Sequence, residues 1–116
     1  MAYRVLRADA VQRDLELIFD FLVTAAETFG ESEAEAFERA VRRIDEIESD
    51  MERLGEGPHQ GTLRPHLGDG IRNVTKNRAI IYFDVDDPKK VVRVLAVFFG
   101  GQDHDARTLL RLLGTG

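Results

Sequence analysis

The sequence predicts an α+β domain in the order β-α-α-β-β-β with a C-terminal helix, a helical hairpin packed on a small, mainly antiparallel sheet. Three observations carry this reading. The stretch from Gly70 to Asp103, GIRNVTKNRAIIYFDVDDPKKVVRVLAVFFGGQD, reads as three consecutive strands joined by polar turns. Almost everything before it is helical. The two helical patterns are separated by only about two residues, so they must fold back antiparallel and turn their apolar stripes to the sheet.

Tyr3-Arg4-Val5-Leu6-Arg7 is a short strand that ends at Asp9. Asp9 is the expected cap of the first helix, with Gln12 three residues on in capping-box register. Val11, Leu15, Ile18, Leu22, Ala25 and Phe29 then recur at steps of four and three as one apolar stripe. Gly30 stops this helix by tolerating left-handed geometry. Ser32 and Glu35 open the second helix as another capping box, and Glu31 and Glu33 add acid near the positive end of its dipole. Its stripe is Phe37, Ala40 or Val41, Ile44, Ile47, Met51 and Leu54, ended by Gly55 and Gly57-Pro58. Phe19 and Phe21 lie off the first stripe and leave apolar surface over.

Residues 56 to 69, EGPHQGTLRPHLGD, form a long polar loop carrying His59, Arg64 and His66. Two histidines seven residues apart, without cysteine or an acidic residue at ligand spacing, make a poor metal site. In the strands beyond, Lys76-Asn77 and Asp86-Asp87-Pro88-Lys89 supply the turns. Alternation puts Arg78, Ile80, Tyr82 and Asp84 on one face of the middle strand, with Tyr82 outward, and Ala79, Ile81, Phe83 and Val85 on the core face. On the last strand Val92, Val94, Ala96 and Phe98 oppose Val91, Arg93, Leu95, Val97 and Phe99. Both sets are apolar, so this strand is central or covered on both sides. Arg93 beside Leu95 and Phe99 points to a mixed polar and apolar groove.

At 116 residues the chain is about one domain, 1–116, able to bury a core without a disulfide or metal staple. It has no cysteine, which excludes thiolate nucleophiles, zinc-finger spacings and redox motifs. No signal-type apolar stretch opens it and no run approaches membrane-spanning length, so a cytoplasmic protein with no membrane partner is expected. The net charge of −5 is unevenly spread: residues 1–56 hold a net of −8 and residues 57–116 a net of +3. The acid is helical and the base lies on the sheet, so a basic sheet face can meet an acidic partner.

There is no Walker-type phosphate loop, dinucleotide fingerprint or nucleophile elbow. Ser32 and Ser49 are the only serines, one a cap and one inside a helix, which leaves no serine nucleophile in view. What remains is the basic set Arg72, Lys76, Arg78 and Arg93, together with Tyr82, Asp103 and His104. Asp103 is placed as the cap of the last helix, from Asp105 to Leu113, whose leucines need burial.

The element order, the Gly70-Ile71-Arg72 start of the second strand, the strand Arg78-Ala79-Ile80-Ile81-Tyr82 and the closing run from Val94 to His104 together resemble the RelE/ParE toxin superfamily over nearly the whole chain. The resemblance implies a toxin of a type II toxin-antitoxin pair, held inactive by an antitoxin that wraps it, with an amphipathic helix in a groove and an added strand as recognition modes. RelE-like members of that superfamily cleave ribosome-bound messenger RNA through a cluster of Lys, Arg, Tyr or His that moves protons and stabilises the phosphorane. ParE-like members lack the cluster and poison DNA gyrase. Ala96 stands where the ribonucleases commonly have Arg, and Phe99 where they commonly have His before the glycine.

The resemblance and the residues together give a ParE-like reading: a non-enzymatic toxin that binds DNA gyrase, is neutralised by a ParD-like antitoxin in a hetero-oligomer, and needs no cofactor, metal or direct nucleic-acid contact. The residues expected to bind antitoxin or target are Arg72, Lys76, Arg78, Tyr82, Arg93, Phe99, Asp103 and His104. Two other readings stand beside it. One is a ribosome-dependent messenger-RNA interferase, with Arg72, Lys76, Arg78 and His104 as a rearranged cluster. The other is a non-toxic module that only binds the antitoxin.

Overall fold

The computed structural model describes residues 2–100. Strand β1 (Arg4–Arg7) leads into helices α1 (Ala10–Thr28) and α2 (Glu33–Arg53). A two-residue strand β2 (Thr62–Leu63) and a 3-10 turn (Pro65–Leu67) precede β3 (Arg72–Lys76), β4 (Ala79–Asp86) and β5 (Val91–Phe99). The sheet order is β1-β5-β4-β3-β2, with β1 parallel to β5 and every other pair antiparallel. Two helices on a five-stranded mixed sheet is therefore the α+β architecture expected, with one strand more than the sequence reading supplied. That strand, β2, lies inside the stretch read as loop, and its exposed pair of residues is too short to show a period. The expected helix from Asp105 to Leu113 lies outside the described residues.

The helix ends are built differently from one another. Ser32 caps α2 with a complete capping box: its Oγ accepts the Glu35 N–H and its own N–H donates to the Glu35 carboxylate. Hydrogen bonding from the Ser32 side chain, helped by its backbone N–H, holds the Glu35 carboxyl below its usual range. Asp9, by contrast, has helical backbone angles and makes no side-chain cap bond, so the expected box at the start of α1 is absent. Gly30 does stop α1. At φ +93 it lets its own N–H reach the Glu27 carbonyl and the Glu31 N–H reach that of Ala26, the paired bonds of a Schellman turn.

The main core lies between the helices and one sheet face, where Val11, Leu15, Ile18, Ile47, Met51 and Leu54 meet Ala79, Ile81, Phe83, Val92, Val94 and Val97. The expected stripes hold near the sheet and fail towards the hairpin tip. Phe29 is 89% exposed and Phe37 55%, while the small residues Ala26, Ala36 and Ala40 are buried in their stead. Near the tip the helices pack on each other, and close approach favours alanine.

The second sheet face carries its own cluster of Leu67, Ile71, Tyr82, Leu95, Ala96 and Phe98. The segment after β2 folds under the sheet and covers it. Tyr82 does point away from the helices, as alternation requires, but it is 1% exposed, so the expectation of an outward, accessible ring is corrected. A bulge also breaks the simple alternation of β5: Phe83 pairs with Val94 and Tyr82 with Ala96, leaving Leu95 as the extra residue. Beyond the bulge the phase inverts. Val97 and Phe99 join Val92 and Val94 on the helix side, whereas Ala96 and Phe98 lie on the other. Arg93 and Phe99 therefore belong to opposite faces, and the groove expected between them does not form.

Candidate functional site

The turn between β3 and β4 has only Asn77 and Arg78 between the paired residues Lys76 and Ala79. Both turn residues have positive φ, +48 and +72, the geometry of a tight hairpin whose second position normally falls to glycine. Arg78 is thus a turn residue rather than the first residue of the strand. Its side chain swings to the helix side and lays its guanidinium 5.4 Å from the centroid of the Phe99 ring. From α2, Arg43 reaches the same ring, also at 5.4 Å.

Phe99 is held at this end of the sheet by pairing with Ala79, and the Gly100 N–H donates to the Arg78 carbonyl at 3.2 Å. Phe21 of α1 completes its surroundings, with ring centroids 6.1 Å apart. Arg43 is anchored by donating to the Asn77 carbonyl and, at 3.3 Å, to the Glu46 carboxylate. Lys76, Ala79 and Phe99 occupy one row across β3, β4 and β5. The result is a rim: a half-buried ring faced by two guanidinium groups, with Lys76 two strands away in the same row. Each guanidinium over a ring at such a partly exposed site contributes roughly 0.5–1 kcal/mol.

Beside the rim, Asp14, Leu17, Ile18 and Phe21 of α1 and Val97, Phe98 and Phe99 of β5 line a cleft of ≈190 Å³. Asp14 is buried, and its Oδ2 accepts the Val97 N–H at 3.0 Å. Leu17 and Phe21 are about half exposed on its outer wall. The rim and this cleft can bind a chain that presents carboxylates near apolar side chains.

The structure divides the residues singled out in the sequence. Lys76, Arg78 and Phe99 come together. Arg72 points elsewhere and donates to the His59 carbonyl at 2.8 Å. Arg93 is on the opposite face, in a forked pair with Asp84 at 2.6 and 3.3 Å, which raises the guanidinium pKa further. Tyr82 is sealed under the sheet with its ring edge-on to Phe98. Asp103 and His104 lie outside the described residues. Arg43 and Asp14 were missed, and Phe21 entered the sequence reading only as apolar surface left over.

Arg72 belongs to a second polar cluster at the other end of the sheet. Asp87 Oδ1 accepts the Tyr3 hydroxyl and meets His59 Nε2, both at 2.8 Å. The hydrogen bond from Tyr3, helped by His59 and Arg72, holds the Asp87 carboxyl below its usual range, and the same bond raises the Tyr3 phenol. This staples the start of the chain and the 56–61 loop to the β4–β5 turn. Among the described residues no group of three potential metal ligands occurs, and no helix is long and apolar enough to cross a membrane.

Residues 5–104 match the family model of ParE toxins of type II toxin-antitoxin systems, parDE. Among solved structures, a chain of the chromosomal ParDE system of P. aeruginosa is similar with a TM-score of 0.66 at 20% identity, over 86% of this chain and 98% of that one. A mutant of the E. coli toxin RelE in the free state gives 0.61 at 12% identity, over 97% and 99%. A chain of the toxin-antitoxin complex RelBE2 of Mycobacterium tuberculosis gives 0.60 at 16% identity, over 86% and 100%. At such identities the likeness is one of fold. No curated protein matches the chain in sequence.

Proposed function

Because this chain belongs to the ParE toxin family of type II toxin-antitoxin systems, we propose that it acts in the cytoplasm by binding DNA gyrase. A ParD-like antitoxin neutralises it by occupying the same rim, and no reaction is catalysed by the toxin itself. The observation that carries this reading is the ring of Phe99 between two guanidinium groups. A guanidinium stays protonated and can donate hydrogen bonds or stabilise charge, but it cannot accept a proton as a general base. The phenol of Tyr82, which could serve in proton transfer, is sealed on the opposite face. Such a rim suits recognition of carboxylates on a partner, with fixed arginines as forked donors and Phe21 and Leu17 as apolar anchors.

One feature favours a second reading. Arg43, Lys76 and Arg78 concentrate positive charge at one end of an acidic protein, and cations gathered in this way also suit the phosphates of a ribosome-bound message.

Purified toxin tested in parallel on gyrase supercoiling and on ribosome-dependent messenger-RNA cleavage separates the two. The gyrase reading expects supercoiling to be blocked or cleaved DNA complexes to be trapped, with the effect weakened by Arg78→Ala. Intact gyrase activity alongside cut messages would replace it with the interferase reading.

A further inference from the structure

The cover over the second sheet face is built as a strap. It runs from Gly61 to Gly70, and both end glycines sit in the left-handed region, at φ +81 and +76. The chain is fixed just outside each of them. Ahead of Gly61, His59 Nε2 meets Asp87 Oδ1 at 2.8 Å, and the His59 carbonyl accepts from Arg72 at 2.8 Å. Beyond Gly70, Ile71 is buried in the second cluster and β3 begins. A segment held between two fixed points, with a residue of wide backbone freedom at each end, has the layout of a hinged flap.

Little of the strap is committed to the interior. Leu67 is its one buried side chain, at 7% exposure, whereas Thr62, Leu63, Pro65 and His66 are exposed. Two of its backbone bonds close on the strap itself, from the Leu67 N–H to the Arg64 carbonyl at 3.0 Å and from the Gly68 N–H to the Pro65 carbonyl at 3.2 Å. It meets the sheet where Thr62 and Leu63 pair with Asn73 and Arg72, and where the Arg64 N–H donates to the Ile71 carbonyl at 2.7 Å. Lifting it withdraws one leucine from the cluster and breaks a two-residue ladder, while the segment regains backbone entropy. The helix-side core, which shares no residue with the strap, is left intact.

We propose that residues 61–70 form a hinged strap that opens as a unit while the rest of the fold stays closed, and that the open form presents the apolar cluster around Tyr82. Closed, the strap hides that face. It lies away from the Phe99 rim, so its test does not turn on whether gyrase is bound.

The test uses the intact protein, whose only tyrosines are Tyr3 and Tyr82. Nitration by tetranitromethane is read at Tyr82 by mass spectrometry, with Tyr3 as the exposed reference, beside amide exchange of Ile81 and Val94 as the measure of global unfolding. Without denaturant, Tyr82 is expected to react slowly but well ahead of that exchange. Leu67→Ala removes the buried anchor and should speed the labelling about thirtyfold or more, with a smaller effect on the core amides. Lifting requires β2 to leave β3, and the chain has no cysteine of its own, so a disulfide from Leu63→Cys with Arg72→Cys holds the strap down. It should slow the labelling about tenfold or more relative to Leu63→Ser with Arg72→Ser. Labelling of Tyr82 no faster than core exchange, or labelling that the disulfide leaves unchanged, overturns the proposal.

Discussion

Arg78 lies over the ring of Phe99 from a backbone held at φ +72, so a strained turn residue is bonded to the platform that defines the rim. A Cβ in the left-handed region costs on the order of 1 kcal/mol that glycine avoids, and one exposed cation–π contact returns about as much. Arg78→Gly is therefore expected to leave thermal stability unchanged or slightly higher and, on the proposed gyrase reading, to weaken inhibition as Arg78→Ala does. Arg78→Ala keeps the strain, loses the contact and should be the less stable of the two. Thermal unfolding beside a gyrase assay checks both; a clearly destabilised glycine variant would show that the arginine is structural.

Asp14 does for the upper part of β5 what β1 does for the lower. Strand β1 pairs with Val91 to Val94 and then leaves the sheet, and the carboxylate of Asp14 takes the Val97 N–H beyond that point. Asp14→Ala leaves a buried donor without an acceptor, at a cost of roughly 1–3 kcal/mol. For a domain near this size each kcal/mol lowers the melting temperature by about 4–8 °C. Asp14→Asn keeps an acceptor oxygen and should fall between wild type and alanine in calorimetry.

How far the sequence could be read depended on how local the cause was. Ser32 with Glu35, and Gly30, act within one helical turn and were legible as residues. Tyr82 was placed on the correct face but given the wrong exposure, because the cover supplied by Leu67 and Ile71 comes from a segment with no periodic pattern. The inversion at Leu95 had no sequence mark, since every residue from Val94 to Phe99 is apolar and either phase looks alike. Phe29 and Phe37 fit the helical period but lie towards the tip, where the two helices meet through alanines. Arg43 was unreadable for a different reason: its partners, the Asn77 carbonyl and Phe99, are brought to it only by the tertiary fold.

Gly61 governs whether the second sheet face stays covered. It sits at φ +81, and a Cβ there would lie 2.3 Å from the Asn73 carbonyl oxygen, a backbone atom that cannot yield without moving β3. Gly61→Ala should detach β2 and loosen the cover over Tyr82, raising amide hydrogen exchange across Thr62–Leu63 and the segment that follows. Gly30→Ala is the control, since its Cβ meets nothing within 4 Å and only the φ penalty of about 1 kcal/mol remains. Equal effects of the two substitutions would rule out the steric account.

The staple on Asp87 makes a pH prediction with a definite sign at each end. Its carboxyl has a folded pKa below the ordinary value, chiefly through the Tyr3 hydroxyl bond, so the stabilisation is complete above the usual carboxylate range. It is lost as pH falls through the lowered folded value. The Tyr3 phenol is shifted the other way, so its share is complete below the usual phenol range and is lost as pH rises through the raised folded value. Asp87→Asn should therefore flatten both the acid and the alkaline limb of the stability curve, while the Tyr3 ring titrates at lower pH than in the wild type. Both groups are exposed, so the change is small and best followed by NMR titration of the Tyr3 ring signals rather than by melting temperature. Unaltered titration of that ring in the asparagine variant would show that the bond is not formed in solution.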